Sequence, residues 1–256
     1  LSSHPPFCLA SYKSIASFIP GHHEDSRPSP PNTDWASYDP PIDPELGAKA
    51  AAIIPSILDP SDTSNERMFC PPINETRYGY LRPTGRWWKK KQTTYFFALN
   101  LRRVAPLMPR LLGSVVETIR FLGPQHCALS IIEGNSDDGT LEVLRLLIAE
   151  MEKMGVDYWL ARSDLDPLQG QGMRIPKLAM LRAMAVEPLT GRVEGLHTKI
   201  GDADPGELTY YTKPPIEKLP LAPNATLAFI NDVDACAEDI LELIHQRDFQ
   251  EADMTW

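Results

Sequence analysis

The feature that most constrains this chain is an alternation that sets in at Thr93: short apolar runs suited to buried strands, each followed by a longer stretch with one apolar face. Thr93 to Leu99 (TTYFFAL) is aromatic and β-branched, the composition of a buried strand. From Pro106 to Leu122, Leu107, Leu111, Leu112, Val115, Val116, Ile119 and Leu122 recur at helical spacing, and Gly123-Pro124 ends the helix. The pattern repeats as strand Cys127 to Ile132, helix Thr140 to Met154 closed by Gly155, strand Val156 to Leu160 and helix Ile175 to Val186. It finishes with strand Thr226 to Ile230 and helix Ala237 to Gln246. Such an order predicts an α/β fold, a mostly parallel sheet with helices on both faces. Ligands of these sheets bind outside the carboxyl ends of the strands, so the residues following each strand are the candidates for chemistry.

Residues 1–92 read differently. Pro20 to Trp35 and Tyr38 to Leu46 are rich in Pro, Ser and charge and cannot bury enough apolar surface to order themselves, so an irregular N-terminal arm is expected there. Within it a short helix is predicted from Pro44 to Leu58, stopped by Asp59-Pro60. His22 and His23 are adjacent in this arm and read as solvated. The division expected is thus an arm over 1–92 and one nucleotide-binding type of domain over 93–256.

A formal charge of -9 argues against a nucleic-acid partner, and Lys89, Lys90 and Lys91 read as a solvated turn. No apolar run approaches the roughly 18 to 20 residues that cross a bilayer; Pro55 interrupts the nearest, Ala50 to Leu58. The chain opens on Leu1 and its first stretch lacks the charged-then-apolar order of a signal peptide, so any anchor is expected outside it. Cys8, Cys70, Cys127 and Cys236 have no metal-ligand spacing, and the placement of Cys127 and Cys236 beside strands favours small buried hydrophobes over a disulfide. The sequons Asn74-Glu75-Thr76 and Asn224-Ala225-Thr226 are compatible with a secretory lumen.

Three strand ends carry polar residues. Asn100, Leu101, Arg102 and Arg103 follow the first, and Glu133-Gly134-Asn135-Ser136-Asp137-Asp138-Gly139-Thr140 follows the second. In that loop the acidic groups can accept from ribose hydroxyls or a base N–H, with Glu133 the best placed, whereas Asp138 and Thr140 serve equally well as the start of a helix. The spacing does not complete an EF-hand. After the fourth strand come Asn231, Asp232, Val233 and Asp234, two carboxylates that are costly to hold together without a cation. A divalent ion carrying a diphosphate is one reading; the other has Asp234 capping the helix that follows. Arg174, Lys177 and Arg182, on one predicted helix, are candidates to meet the diphosphate. The chain contains neither a P-loop nor a G-x-G-x-x-G motif.

The blocks YFFALNLRRVAPLMPRLLGSVVETIRFLGPQHCALSIIEGNSDDGT, RIPKLAMLRAMAVEPL and FINDVDACAEDILELIHQR followed by ADMT occur in one order. With LDPSDTSNERMFCPPINETRYGYLR they resemble the fungal capsule-associated α-1,3-mannosyltransferases, glycosyltransferase family 69, from about Ile57 to Thr255. The resemblance implies a GT-A-like Rossmannoid domain, GDP-mannose as donor, Mn2+ or Mg2+, a glycan acceptor, and a Golgi or secretory-lumen enzyme that is a type II membrane protein at full length. It implies nucleoside contacts at Glu133 and Asp137; Asn100, at its strand end, and Arg174, beside the third helix, are read from their positions as further nucleotide contacts. Asp232 and Asp234 would face metal and diphosphate, with more weight on Asp232, because family members more often carry an apolar residue at the position of Asp234. Family members continue beyond the ADMT segment into an acceptor-binding half, so the expectation is a donor domain lacking its C-terminal part, its catalytic base unassigned. A non-catalytic, nucleotide-sugar-binding or assembly member is the alternative.

Overall fold

A computed structural model of the chain describes residues 40–84, 92–168, 174–191, 208–215 and 217–255, and the backbone of a strand at Phe7–Ser11 (β1). The segments containing His22, His23 and Lys89 to Lys91 lie outside the described residues. The sheet is built on four parallel strands: β2 (Thr93–Leu101), β3 (Cys127–Glu133), β4 (Asp157–Ser163) and β6 (Leu221–Ile230). Antiparallel strands extend it on both sides: β5 (Leu208–Tyr210) pairs with β4, β1 pairs with β6, and β7 (Met254–Thr255) pairs with β1. The order is β5-β4-β3-β2-β6-β1-β7.

Strand β2 explains why the sheet read so clearly. Tyr95, Phe97, Leu99 and Leu101 enter one core while Phe96 and Ala98 enter the other, so both faces are buried and the segment is continuously apolar. The first face is covered by α3 (Met108–Leu122), α4 (Thr140–Met154) and α7 (Ala237–Phe249). Outside α3 and α4 lies α1 (Pro44–Leu58). The second face is covered by α5 (Arg174–Ala185) and the short α6 (Glu187–Thr190). The expected α/β architecture with helices on both faces is therefore observed. Among the described residues no helix is long and apolar enough to cross a membrane.

Helix ends follow their local chemistry. Asp43 Oδ1 accepts the amides of Glu45 and Leu46 at 3.0 Å each, with Pro44 opening α1. Gly155 closes α4 at φ 79°, donating its N–H to the Glu152 carbonyl.

Three expectations are corrected. The arm is not irregular throughout: β1 adds to the edge of β6 in antiparallel register, Phe7 opposite Ile230. Strand β4 continues past Leu160 to Ser163, because Ile132 and Glu133 on β3 extend the ladder to Ala161 and Arg162. Cys70 and Cys236, read as small hydrophobes, form a disulfide across a separation of 166 residues. They meet because α2 (Glu75–Tyr78) docks on α7, where Arg77 pairs with Glu242 at 2.6 Å and Tyr78 donates to the same carboxylate at 2.8 Å. Cys127 is buried in the core, as expected.

Candidate functional site

The chain runs from β2 outward through β3 and β4, then crosses back to place β6 on the other side of β2. The carboxyl ends of β2 and β6 thus flank the point where the winding reverses, the place where open α/β sheets hold ligands. Leu99 pairs with Ile230, the last residue of β6, so Asn100 and Leu101 run on along β3 past the point where Asn231 and Asp232 leave the sheet. On the other side of β2, Leu101 is level with Glu133, and Glu133 with Arg162.

The loop after β3 is organised by its own side chains. Glu133 is fully buried and accepts the amides of Ser136 at 2.7 Å and Asn135 at 3.1 Å, which bends the backbone through Asn135 at φ 57°. Burial pushes the Glu133 carboxyl above its usual range, opposed by those hydrogen bonds. Its oxygens hold the loop from inside. Asp138 Oδ1 accepts the Thr140 N–H at 3.1 Å and hydroxyl at 2.6 Å, while Oδ2 accepts the Ala105 amide at 3.0 Å. Thr140 Oγ1 in turn accepts the Val104 amide at 2.9 Å. Asp138 and Thr140 thus tie the loop to the segment that follows β2.

Asp137 faces outward and pairs with the Arg103 guanidinium, Nε to Oδ1 3.0 Å and Nη2 to Oδ2 3.2 Å, both side chains being largely exposed. Arg103 is itself at φ 53°, its N–H donating to Ser136 Oγ at 2.8 Å. Arg162 Nη2 donates to Asn135 Oδ1 from the neighbouring strand.

Arg102 turns toward β4 and grips Asp166 with both nitrogens, at 2.6 and 3.0 Å. Lys177 Nζ donates to the Asp166 carbonyl at 3.0 Å, so the grip links β2, the loop after β4 and α5. Gly134 lies directly under the arginine: a Cβ there would stand 3.0 Å from Arg102 Cβ and 3.2 Å from Cγ and Cδ. Arg102, and then the Leu168 amide, hold the Asp166 carboxyl down at about 2 against the usual 3.8. A depressed folded value stabilises the fold above the unfolded value and loses that contribution as pH falls toward the folded one. Urea midpoints should therefore fall between about pH 4 and pH 2, and less steeply in Asp166→Asn. Identical profiles for the two chains would exclude this coupling.

The remaining candidates sit around the same edge. In the amide orientation that satisfies both groups, Asn100 donates to the Leu181 carbonyl at 3.1 Å and accepts the Arg182 N–H at 3.2 Å, anchoring β2 to α5. Arg174 opens α5 and is exposed, and Arg182 lies over the Phe229 ring at 5.9 Å. Asp232 is exposed where β6 ends. Asp234 pairs with Arg110 of α3 at 3.1 Å. Asp234 is not the cap of α7: that place belongs to Cys236, whose N–H donates to Asp239 at 2.9 Å.

Among the described residues no cluster of three or more His, Cys, Asp or Glu has metal-binding geometry. An ion bound wholly by protein therefore does not fit the described residues. One of the magnesium or manganese kind, which takes one or two carboxylates and completes its shell with phosphate and water, fits Asp232.

Arg110, Arg162 and Asp166 were not singled out from the sequence; Arg102 was placed at a strand end, but without its partner Asp166. Asp166 had a usable signal: once β4 is extended to Ser163, Asp164 and Asp166 become strand-end carboxylates like Asp232. The arginines had none beyond position, since arginine is common on surfaces.

Fold and edge together define a Rossmann-like α/β domain. A family model described as Cryptococcal mannosyltransferase 1 matches residues 94–255, and the chain belongs to that family. It is 29% identical over 162 residues to the alpha-1,3-mannosyltransferase CMT1 of Cryptococcus neoformans, an alignment covering 62% of this chain and 30% of that protein. The chain thus spans about a third of the length of this curated relative. No solved structure matches it.

Proposed function

We propose that this chain forms the donor-sugar side of a metal-dependent glycosyltransferase that moves mannose from GDP-mannose to a hydroxyl of a glycan or polysaccharide. The observation that carries the reading is the exposed Asp232 at the β2–β6 reversal, in a chain of the mannosyltransferase family. Asp232 would hold Mn2+ or Mg2+, which supplies charge neutralisation for the departing diphosphate.

The protein groups contribute the rest. Exposed ion pairs are worth about 0–1 kcal/mol, so Arg103 can exchange Asp137, and half-buried Arg110 can exchange Asp234, for diphosphate oxygens at little cost. Asp137, released, would accept from ribose hydroxyls, and Arg174, exposed at the start of α5, would add a cation. Glu133 keeps the loop in shape from beneath, and Asn100 keeps β2 attached to α5. A secretory lumen is consistent with the Cys70–Cys236 disulfide, and a type II membrane anchor at full length is part of the same family-based reading.

Calorimetric titration of the chain with GDP-mannose, in Mn2+ and in chelator, tests the reading. Binding that depends on the cation is expected. No binding in either condition removes the nucleotide site.

A further inference from the structure

The structure assigns a covalent modification site: Asn74, whose side-chain amide is positioned to carry an N-linked glycan. Two sequons are present in the chain, and tertiary structure separates them. Asn74 is exposed at the N-cap of α2, and so are Glu75 and Thr76 in its first turn, while Ile73 and Tyr78 on either side pack into the core. Asn74 Oδ1 accepts the Arg77 amide at 3.1 Å, a bond that uses the oxygen and leaves Nδ2 as the outward group. The second sequon is built into the sheet. Its Thr226 is 3% exposed, pairs across to Ser11 and Tyr95, and its hydroxyl accepts from Arg247 Nη1 at 3.0 Å. Asn74 keeps its amide and the hydroxyl two residues on exposed together before and after folding, whereas at the second sequon Asn224 is exposed but Thr226 is drawn into the sheet as the chain folds.

An independent observation indicates the compartment in which such chemistry occurs. Cys70, four residues before Asn74, is disulfide-bonded to Cys236, and a structural disulfide of this kind persists in an oxidising lumen. That bond also sets where the glycan leaves the molecule. It pins the connection at the start of α7, and the Arg77–Glu242 pair holds it further along the helix, so Asn74 projects from the flank of α7. The co-reactant is an oligosaccharide carried on a lipid diphosphate. Asn74 Nδ2 forms a bond to the anomeric carbon as the sugar–phosphate bond breaks, the amide loses one proton, and the lipid diphosphate departs.

The test is expression of the chain in a fungal secretory host, followed by peptide mass spectrometry before and after treatment with peptide N-glycosidase. The peptide containing Asn74 should carry hexose-rich mass and return with Asn74 converted to Asp. Thr76→Ala should abolish that mass while keeping the Asn74–Arg77 cap, and Thr76→Ser should restore it. An unmodified Asn74 in protein whose Cys70–Cys236 bond is intact overturns the assignment, as does a glycan found at Asn224 alone. The readout involves neither nucleotide nor metal, so it stands or falls separately from the proposed activity.

Discussion

Asp232→Asn should abolish the cation-dependent part of GDP-mannose binding, a loss on the order of 100-fold, while Asp234→Ala leaves it within a few-fold. Both side chains are exposed or half-exposed at the end of β6, so neither substitution threatens the core. They differ in what surrounds them. Asp234 already meets Arg110 at 3.1 Å, whereas Asp232 stands beside the β2–β6 reversal. Asparagine keeps the shape of Asp232 and removes its charge, and a hard cation loses most of its attraction to a neutral ligand. Calorimetry of the three chains with and without Mn2+ reads this directly, with thermal melts as the control for folding. Equal losses in both variants would restore the paired-carboxylate reading; no loss in Asp232→Asn would move the cation elsewhere.

Removing the disulfide should produce the largest change in stability. Cys70 and Cys236 close a loop across 166 residues, and the chain-entropy relation for a loop of that size gives about 5 kcal/mol. Cys70→Ser with Cys236→Ser, or reduction of the parent chain, should lower the unfolding free energy by about 2–5 kcal/mol in urea. The effect should extend to binding. Cys236 lies between the Asp232 loop and α7, so freeing it loosens the exit of β6, and cation-dependent affinity should weaken even where the chain remains folded. Urea midpoints that do not respond to reductant would show that the bond contributes little.

How far the fold was legible depended on whether an element carried its own signals. Helix α1 was bounded correctly because Asp43, Pro44 and Asp59 mark its ends locally, and α4 because Gly155 supplies the left-handed closing residue. Strand β2 was found because burial on both faces leaves only apolar residues. Strand β4 was cut short at Leu160, since Ala161, Arg162 and Ser163 resemble a loop until β3 is there to pair with them. Strand β1 was missed for the same reason: a short segment becomes a strand only when β6 offers it an edge.

The candidate site divided along the same line. Composition and spacing alone determined that this chain alternates strands with helices, and that Glu133, Asp137, Asp232 and Asp234 stand at or just beyond the carboxyl ends of the strands. Those facts are written in neighbouring residues, because strand and helix periodicities and end signals act over a few positions. Only the tertiary structure decided which carboxylates are already engaged: Glu133 by the amides of its own loop, Asp137 by Arg103, Asp166 by Arg102 and Asp234 by Arg110. It also decided that Cys70 meets Cys236. Partners distant in sequence are chosen by packing, since the interactions are short-ranged in space and carry no mark of how far apart the chain has placed them.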